Sequence, residues 1–311
     1  MQQLTYDDVE AAERRIAGRV RPVTVTRGDQ GRRVWLALEF LQHTGSFKAR
    51  GAQNFLLAHA EAGTLPDAGV TIASGGNAGL ACAWAARELG VRATVFLPET
   101  ASPVKLARLR SYGAEVRLTG REYAEALAAC EEFAAGSGAL ASHAYDHPLI
   151  AAGAGTVLDE IHAEVPGLDT VVVSVGGGGL FAGVAVAARE RGIRVVAVEP
   201  EGSRALNAAL AAGHPVDVPV ASVAQDALGA RRATALAVHA AAYEGVRSVL
   251  VSEEAIVRAR QHLWDDRRIA VEYAASTALA ALDRTDGDRI AVLLCGANTD
   301  PSDLVEQPSD A

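Results

Sequence analysis

Lysine is nearly absent from this sequence of 311 residues. Of its 29 basic residues only Lys48 and Lys105 are lysines, and the others are arginines. Arginine stays protonated in proteins, whereas a partly buried lysine can lose its proton and act as a nucleophile. Lys48 stands in the segment TGSFKARG at positions 44–51, which makes its amine a candidate catalytic group. A surface lysine in an arginine-rich composition is the alternative interpretation of Lys48 taken alone.

Cysteine is also scarce, and the three cysteines are far apart. Cys82, Cys130 and Cys295 are odd in number and form no CxxC pair. This pattern argues against a disulfide framework or a zinc site and favours a reducing compartment. The eight histidines show no metal-ligand spacing either, so the sequence predicts no metal centre of these residue types.

Clustered positive charge and long apolar runs are missing as well. The formal net charge is −9, whereas nucleic-acid binding requires a concentrated basic surface. The apolar runs near residues 80–86 and 178–188 are shorter than a bilayer span. The acidic, polar start of the chain lacks the features of a signal peptide. The sequence thus predicts a cytoplasmic protein without nucleic-acid or membrane partners.

Half of the residues are apolar, enough for the core of one large domain or two medium ones. Short apolar strands alternate with helical segments, and a turn is predicted at residues 28–31. This alternation is typical of α/β proteins with open parallel twisted sheets flanked by helices. Strands are predicted at residues 33–39, 70–73, 92–97, 115–118, 139–142, 170–175, 194–199 and 290–294, and helices at residues 5–16, 49–60, 77–89, 103–112, 122–135, 155–164, 180–191, 204–212, 233–242 and 253–264.

Four consecutive glycines at positions 176–179 join a predicted buried strand to a helix. Their backbone amides can close around an anion without interference from Cβ atoms, and the helix N-terminus adds partial positive charge. The segment therefore predicts a phosphate site. Gly177, Gly179 and Ala182 also satisfy the dinucleotide fingerprint, with Glu199 as the acid that would bind the ribose. A nicotinamide-dependent oxidoreductase is thus an alternative, although it leaves Lys48 unexplained.

Two further polar segments follow predicted strands, SGGNAG at residues 74–79 and CGANTD at residues 295–300. Ser74, Asn77 and the backbone amides of the first segment can bind a carboxylate or an aromatic hydroxyl at a helix start. Ligands in open α/β sheets bind beyond the carboxyl ends of strands, so these segments, Lys48 and the glycine run are expected to converge on one cleft. A lysine amine, a phosphate cradle and a neutral group able to meet a ring nitrogen together suggest pyridoxal phosphate.

With these motifs the chain resembles the fold-type II pyridoxal-phosphate enzymes, in particular the threonine/serine dehydratase (ammonia-lyase) and serine racemase branch. The resemblance implies a two-domain fold similar to the tryptophan synthase β chain. A small domain of residues 68–145 would be inserted into a large cofactor-binding domain of residues 1–67 plus 146–311, and the protein would form a homodimer. The matching segments occur in the family's order and span most of the chain: residues 44–52, 74–79, 147–156, 176–180, 198–200, 271–272 and 295–300.

The resemblance also implies a role for each segment. Lys48 would hold pyridoxal 5'-phosphate covalently, remove the α-proton of the substrate and assist loss of its β-hydroxyl. Cys295 would face the ring nitrogen, where a neutral partner favours β-elimination over a long-lived carbanion. The implied cofactor-binding residues are Phe47, Lys48, Asn77, Gly176, Gly177, Gly178, Gly179, Leu180, Glu272 and Cys295. The implied substrate-carboxylate residues are Ser74, Gly75, Gly76, Asn77 and Ala78.

Several positions depart from the family's pattern. Relatives commonly carry a second serine where Gly75 stands, and in the racemases it acts as acid and base on the opposite ring face, so we expect weak or no racemase activity. Ala78 and Leu80 replace polar residues and are expected to widen or dry the substrate pocket. At the cation site of some relatives, Asp226 matches an aspartate but Ser222 replaces a glutamate, so a metal site stays an open alternative and none is predicted.

We therefore predict an enzyme for the pyridoxal-phosphate-dependent dehydration and deamination of a 3-hydroxy amino acid, L-threonine or L-serine, to a 2-oxo acid and ammonia. A serine racemase or a β-replacement synthase with the same cofactor is the first alternative. A nicotinamide-dependent oxidoreductase is a more distant one. A non-catalytic protein that binds the cofactor has the least support, because all the catalytic groups are present.

Overall fold

The computed structural model describes residues 3–28 and 33–305, so the predicted turn at residues 28–31 lies largely outside the described residues. Helices and strands alternate through most of the chain, as the sequence predicts. The strands are β1 (Val25–Arg27), β2 (Val34–Ala37), β3 (Val70–Ala73), β4 (Ala93–Leu97), β5 (Glu115–Leu118), β6 (Leu140–Ala141), β7 (Thr170–Ser174), β8 (Arg194–Pro200), β9 (Val246–Val251) and β10 (Ile290–Leu293). The helices are α1 (Tyr6–Ile16), α2 (Lys48–Glu61), α3 (Asn77–Glu88), α4 (Pro103–Ser111), α5 (Tyr123–Ser137), α6 (Pro148–Gly155), α7 (Val157–Glu164), α8 (Gly179–Glu190), α9 (Ala205–Ala212), α10 (Gln225–Leu228), α11 (Ala235–Ala241), α12 (Glu253–Arg267), α13 (Tyr273–Ala280) and α14 (Ser302–Val305).

The larger sheet has six strands in the order β1-β2-β10-β7-β8-β9 within the described residues. All neighbouring pairs are parallel except β1 and β2. The central strands β7 and β10 are buried along their whole length, because a parallel sheet is covered on both faces and its strands cannot alternate between core and solvent. The predicted α/β class with parallel sheets is confirmed.

In the described part of the chain the smaller sheet has four parallel strands in the order β5-β4-β3-β6. Its strands lie between residues 70 and 141, and an apolar cluster of their side chains includes Val70, Ile72 and Val95. Helix α2 contacts α3 beside this sheet and α6 beside the larger one, so the start of α2 lies between the two sheets. The division into a domain of residues 68–145 and one of residues 1–67 plus 146–311 stays a prediction.

Small residues let the helices α2, α6 and α8 pack closely. A Cβ atom at Gly51 would lie 2.6 Å from the carbonyl oxygen of Ile150, and one at Gly183 would lie 2.1 Å from that of Ala151. Side chains at these glycines would therefore push the helices apart. The alanine- and glycine-rich composition thus allows the backbones of these helices to approach closely.

The structure adds elements that the sequence did not predict. The helix predicted at residues 155–164 corresponds to α7, which begins at Val157, but helix α6 before it was not predicted. Gly153 and Gly155 lower helix propensity, and this hides α6 in the sequence. Strand β9 and helices α10, α13 and α14 are also not predicted. Thr5 and Asp8 form a capping box at the start of α1, and no helix of the described residues is long and apolar enough to cross a membrane.

Candidate active site

A cavity of about 550 Å³ lies where strand ends of the two sheets face each other. The start of α2, the β3–α3 and β7–α8 loops, the residue before α13 and the segment after β10 all reach it. Three of these segments follow parallel strands, which is where ligands bind in α/β sheets. The cavity brings together all the predicted site residues, namely Phe47, Lys48, Ser74, Gly75, Gly76, Asn77, Ala78, Gly176, Gly177, Gly178, Gly179, Leu180, Glu272 and Cys295.

Lys48 is the first residue of α2, and its side chain extends into this cavity. The Nζ atom donates to the carbonyl oxygen of Ala144 at 2.7 Å and lies 4.8 Å from the ring centroid of Phe47. Burial lowers the pKa of the amine to about 8, although electrostatic interactions with Cys295 and Glu272 act in the opposite direction. A lysine with such a pKa can lose its proton near neutral pH and act as a nucleophile or a base.

The loop before Lys48 is tied to the end of the larger sheet. Ser46 forms a bridge with Gly296, and the amide of Phe47 donates to the carbonyl oxygen of Cys295 at 3.0 Å. Gly45 adopts a φ of +79°, a region that favours glycine. A Cβ atom there would lie 2.7 Å from Oδ1 of Asn298. The loop therefore holds the lysine next to the segment that follows β10.

The glycine run forms a cradle at the N-terminus of α8, which is twelve residues long. Gly178 has a φ of +97°, and a Cβ atom there would lie 2.3 Å from the Cβ of Ala237. One at Gly177 would lie 2.2 Å from the ring of Tyr145. Only glycines fit these positions, and the first amides of α8 have no partner within the helix. The cradle can therefore bind a phosphate group.

The β3–α3 loop presents a second helix N-terminus to the same cavity. The hydroxyl of Ser74 accepts a hydrogen bond from the amide of Gly76 at 3.3 Å, and α3 begins at Asn77. The amides of the first turn of a helix bind negative groups such as carboxylates. A Cβ atom at Gly75 would lie 2.5 Å from Cδ2 of Leu97, so this position has no room for a side chain unless Leu97 moves.

Cys295 and Glu272 are two titratable groups that line the same cavity as the lysine. Burial raises the pKa of the Cys295 thiol to about 12, so the thiol is neutral. Burial also raises the pKa of Glu272, against the hydrogen bonds that it accepts from Asn77 and Asn298. Both carboxylate oxygens of Glu272 lie 3.0 Å from Nδ2 of Asn77, so Glu272 is directed at Asn77 rather than at open solvent.

Several residues of the site escape the sequence analysis. Tyr123, Tyr145, Arg231 and Arg232 line the cavity, and the ring of Tyr145 lies against the glycine cradle. Tyr145 stands just before the matched segment that begins at His147, and this proximity is the one signal that could have found it. Tyr123, Arg231 and Arg232 lie outside the recognised motifs, so no sequence pattern marks them as residues of the site.

Three expectations about neighbouring residues can be compared with the structure. Ala78 lines the cavity, but Leu80 packs into the apolar cluster beside the smaller sheet, so its predicted effect on the pocket is wrong. Ser222 donates to Glu253 at 2.8 Å, and Asp226 stands on the cavity wall. The described part of the chain holds no group of three His, Cys, Asp or Glu side chains placed to bind a metal.

The structure argues against Glu199 as the ribose-binding acid of a dinucleotide site. Glu199 is fully buried, and its two carboxylate oxygens accept from the amides of Leu206 and Asn207 at 2.7 and 2.8 Å. Burial raises its pKa to about 7. Because the carboxylate caps the start of α9 and has no access to solvent, it is not available to a ribose at the glycine run.

A buried lysine amine and a glycine phosphate cradle in one cavity of an α/β fold are typical of pyridoxal-phosphate enzymes of fold-type II. The family of pyridoxal-phosphate dependent enzymes matches residues 20–296. The chain belongs to this family, and its cofactor is pyridoxal phosphate.

Among curated relatives, the serine dehydratase-like protein of Rattus norvegicus is 37% identical over 297 residues, covering 89% of this chain and 88% of the relative. L-threonine ammonia-lyase of Geobacter sulfurreducens is 36% identical over 286 residues, covering 90% and 71%. Among solved structures, maize serine racemase is 27% identical with a TM-score of 0.90, covering 98% of this chain and 97% of that chain. The processed form of threonine deaminase isoform 2 from Solanum lycopersicum is 26% identical with a TM-score of 0.88, covering 97% and 86%.

Proposed function

We propose that the protein catalyses the dehydration and deamination of a 3-hydroxy amino acid, L-threonine or L-serine, to a 2-oxo acid and ammonia. The observation that carries this proposal is the position of the Lys48 amine, which shares one cavity with the glycine cradle, the neutral Cys295 thiol and the N-terminus of α3. The similarity to serine dehydratase-like and L-threonine ammonia-lyase proteins supports the same reaction class.

The residues around the cavity fit pyridoxal phosphate. The cradle at residues 176–179 would hold the phosphate, since side chains are excluded there and helix amides face the space. Lys48 would hold the cofactor covalently, Phe47 would flank its ring, and Asn77 would bind the ring hydroxyl. Glu272 would lie nearby and act on the cofactor through Asn77. When bound, the cofactor supplies an electron sink that acidifies the α-carbon of an amino acid.

Proton transfer and substrate binding can then be assigned to individual groups of the protein. The Lys48 amine, with its pKa lowered to about 8 by burial, would take the α-proton and deliver a proton to the departing β-hydroxyl. The neutral Cys295 thiol would face the ring nitrogen without adding a charge. Ser74 and the amides at the start of α3 would hold the substrate carboxylate. Ala78 would leave room for the β-substituent.

Assembly, location and domain division are finer parts of the proposal. The resemblance to fold-type II enzymes supports a homodimer. The three buried cysteines are free thiols, which supports a reducing, cytoplasmic location. The separate sheets of six and four strands support a small domain of residues 68–145 beside a large one of residues 1–67 plus 146–311, with the cofactor between them.

A serine racemase is the second candidate, because maize serine racemase is a similar structure with a TM-score of 0.90. Racemisation requires a proton donor on each face of the α-carbon. Lys48 serves one face, but the position proposed for the other donor is Gly75, which has no side chain and lies against Leu97. The absence of an acid at this position favours elimination over racemisation.

The reaction is tested by measuring 2-oxo acid release from a panel of 3-hydroxy amino acids in both enantiomers, with pyridoxal phosphate added. We expect release from L-threonine or L-serine, because the α-proton, the carboxylate and the leaving hydroxyl all have a group that can act on them. We expect no conversion of L-serine to D-serine in the same reactions, measured by chiral chromatography. Absence of 2-oxo acid from every compound would contradict the dehydratase, and D-serine formation would favour the racemase.

The lowered pKa of Lys48 predicts how covalent attachment of the cofactor depends on pH. Attachment requires the neutral amine. At pH 7 a pKa of about 8 leaves roughly a tenth of the amines neutral, against about one in 2,500 for an ordinary lysine. Deprotonation activates the amine, so the attachment rate should rise with pH and level off above about pH 9. Stopped-flow absorbance of apoenzyme mixed with pyridoxal phosphate gives this rate, and Nα-acetyl-lysine is the control. A rate that keeps rising in parallel with this control would contradict the prediction.

A further inference from the structure

A chain of hydrogen bonds leads from helix α4 to the cavity. Nη2 of Arg108 donates to Oδ1 of Asn298 at 2.6 Å. Nδ2 of Asn298 donates to Oδ1 of Asn77 at 2.6 Å. Nδ2 of Asn77 in turn lies 3.0 Å from both carboxylate oxygens of Glu272. The chain ends on two residues of the cavity wall and begins on an arginine outside it.

The two asparagine amides in this chain each have one possible orientation. An arginine only donates hydrogen bonds, so the Asn298 oxygen must face α4. The Asn298 nitrogen then faces Asn77 and also donates to the carbonyl oxygen of Thr44 at 2.7 Å, a group that only accepts. This arrangement requires the Asn77 oxygen to face Asn298 and the Asn77 nitrogen to face the Glu272 carboxylate. The Arg108 donor on α4 thus acts together with the Thr44 carbonyl and the Glu272 carboxylate to set which atoms Asn77 presents.

Arg108 adds a second connection between two parts of the molecule that also meet through Asn77. Along the chain, helix α4 follows β4 and precedes β5, which are neighbouring strands of the smaller sheet. Asn298 lies after β10 of the larger sheet, and its backbone N–H donates to Oε1 of Glu272 at 2.7 Å. The guanidinium therefore joins the smaller-sheet part of the chain to the loop that contacts Glu272, Asn77 and the segment before Lys48.

We propose that Arg108 is a positioning residue for the cofactor site: through Asn298 it orients the Asn77 amide and holds α4 against the loop after β10. The inference rests on the proposed binding of the cofactor ring by Asn77. Arg108 does not line the cavity and touches no group proposed to react. Its loss should therefore weaken cofactor binding through Asn77, while the lysine attachment and the glycine cradle remain.

The test is equilibrium titration of apoenzyme with pyridoxal phosphate for Arg108→Gln and for a matched control, Arg110→Gln. Arg110 lies two residues further along the same helix, is exposed, and its side chain makes no hydrogen bond or ion pair within residues 3–28 and 33–305. We expect the dissociation constant to rise about tenfold for Arg108→Gln, since a hydrogen bond from a charged donor is lost. Arg110→Gln should bind like the wild type. Equal constants for the two variants overturn the proposal.

A double-mutant cycle separates positioning from a general structural effect. Asn77→Ala removes the group through which Arg108 is proposed to act, while Lys48 and the glycine cradle still bind the cofactor. In this background Arg108→Gln should change the dissociation constant less than about twofold. A tenfold change in both backgrounds would overturn the proposal, because Arg108 would then act independently of Asn77. Arg108→Lys keeps the charge without the planar guanidinium, and it should show the same coupling with a smaller change.

The two proposals fail in different ways. If the wild type binds pyridoxal phosphate and releases no 2-oxo acid, the proposed reaction fails, and the titrations still test Arg108. If the wild type releases 2-oxo acid while Arg108→Gln binds the cofactor as Arg110→Gln does, the positioning role alone fails.

Discussion

Replacing Lys48 with alanine abolishes covalent attachment of pyridoxal phosphate and lowers turnover by at least about 10³-fold, the upper range for loss of a general base. The reason is that the Lys48 amine both attaches the cofactor and acts as the general base. It is the amine within the cavity, it has a pKa of about 8, and arginines cannot replace it because they stay protonated. Reduction of the purified holoenzyme with borohydride, followed by peptide mass spectrometry, measures the attachment, and 2-oxo acid release measures the turnover.

The chain supplies its own control for this experiment. Lys105 is the only other lysine of the sequence; it is exposed on α4 and does not line the cavity. Lys105→Ala should keep both the attachment and the turnover. A reduced cofactor adduct found on Lys105, or turnover retained by Lys48→Ala, would refute the assignment of the catalytic amine.

The central groups of the site could be predicted because each stands in a short local pattern. The glycine run and the Ser74 loop follow strands, and the carboxyl ends of parallel strands meet at one edge of a sheet. Local patterns therefore place Lys48, the cradle and the α3 start in the same region without any long-range information. The roles of these residues toward the cofactor stay predictions.

The parts that escape prediction depend on contacts between distant segments. Arg108 and Asn298 are 190 positions apart, and in the sequence Arg108 resembles any other helical arginine. The wrong expectation for Leu80 has a different cause. Residues two apart on a helix do not share a face, so when Ala78 faces the cavity, Leu80 points into the core. Helix α6 is not predicted, because glycines lower the local helix propensity. These glycines are required where α6 packs closely against α2 and α8, and only the three-dimensional structure shows this packing.

Replacing Arg50 with alanine destabilises the fold by about 3–5 kcal/mol, the usual cost of breaking a buried ion pair from one side. Arg50 is fully buried on α2. It donates to Glu39 at 2.6 and 3.1 Å and to Glu160 at 2.6 and 2.8 Å. The guanidinium thus joins the start of α2, the segment after β2 and helix α7. Urea denaturation of the purified variant measures the loss, and the yield of soluble protein provides a second measurement.

The matched control is an exposed ion pair of similar length. Arg117 and Glu115 are 2.7 Å apart with 42% and 60% of their side chains exposed. Glu115→Ala removes this ion pair and leaves Arg117 stacked on Phe133, and it should cost less than about 1 kcal/mol, because solvent screens surface pairs. A loss for Arg50→Ala no larger than that for Glu115→Ala would contradict the importance assigned to the buried cluster.

The destabilisation by Arg50→Ala should also depend on pH. Burial raises the pKa of Glu39 even with Arg50 present, and removing the guanidinium removes the largest opposing influence. A carboxyl whose pKa is higher in the folded than in the unfolded state favours folding while it is protonated, and this advantage is lost as the pH rises. The difference in unfolding free energy between wild type and Arg50→Ala should therefore be larger at about pH 8 than at about pH 5. A difference that is constant, or larger at the lower pH, would mean that Glu39 does not remain buried as an unpaired carboxylate when Arg50 is removed.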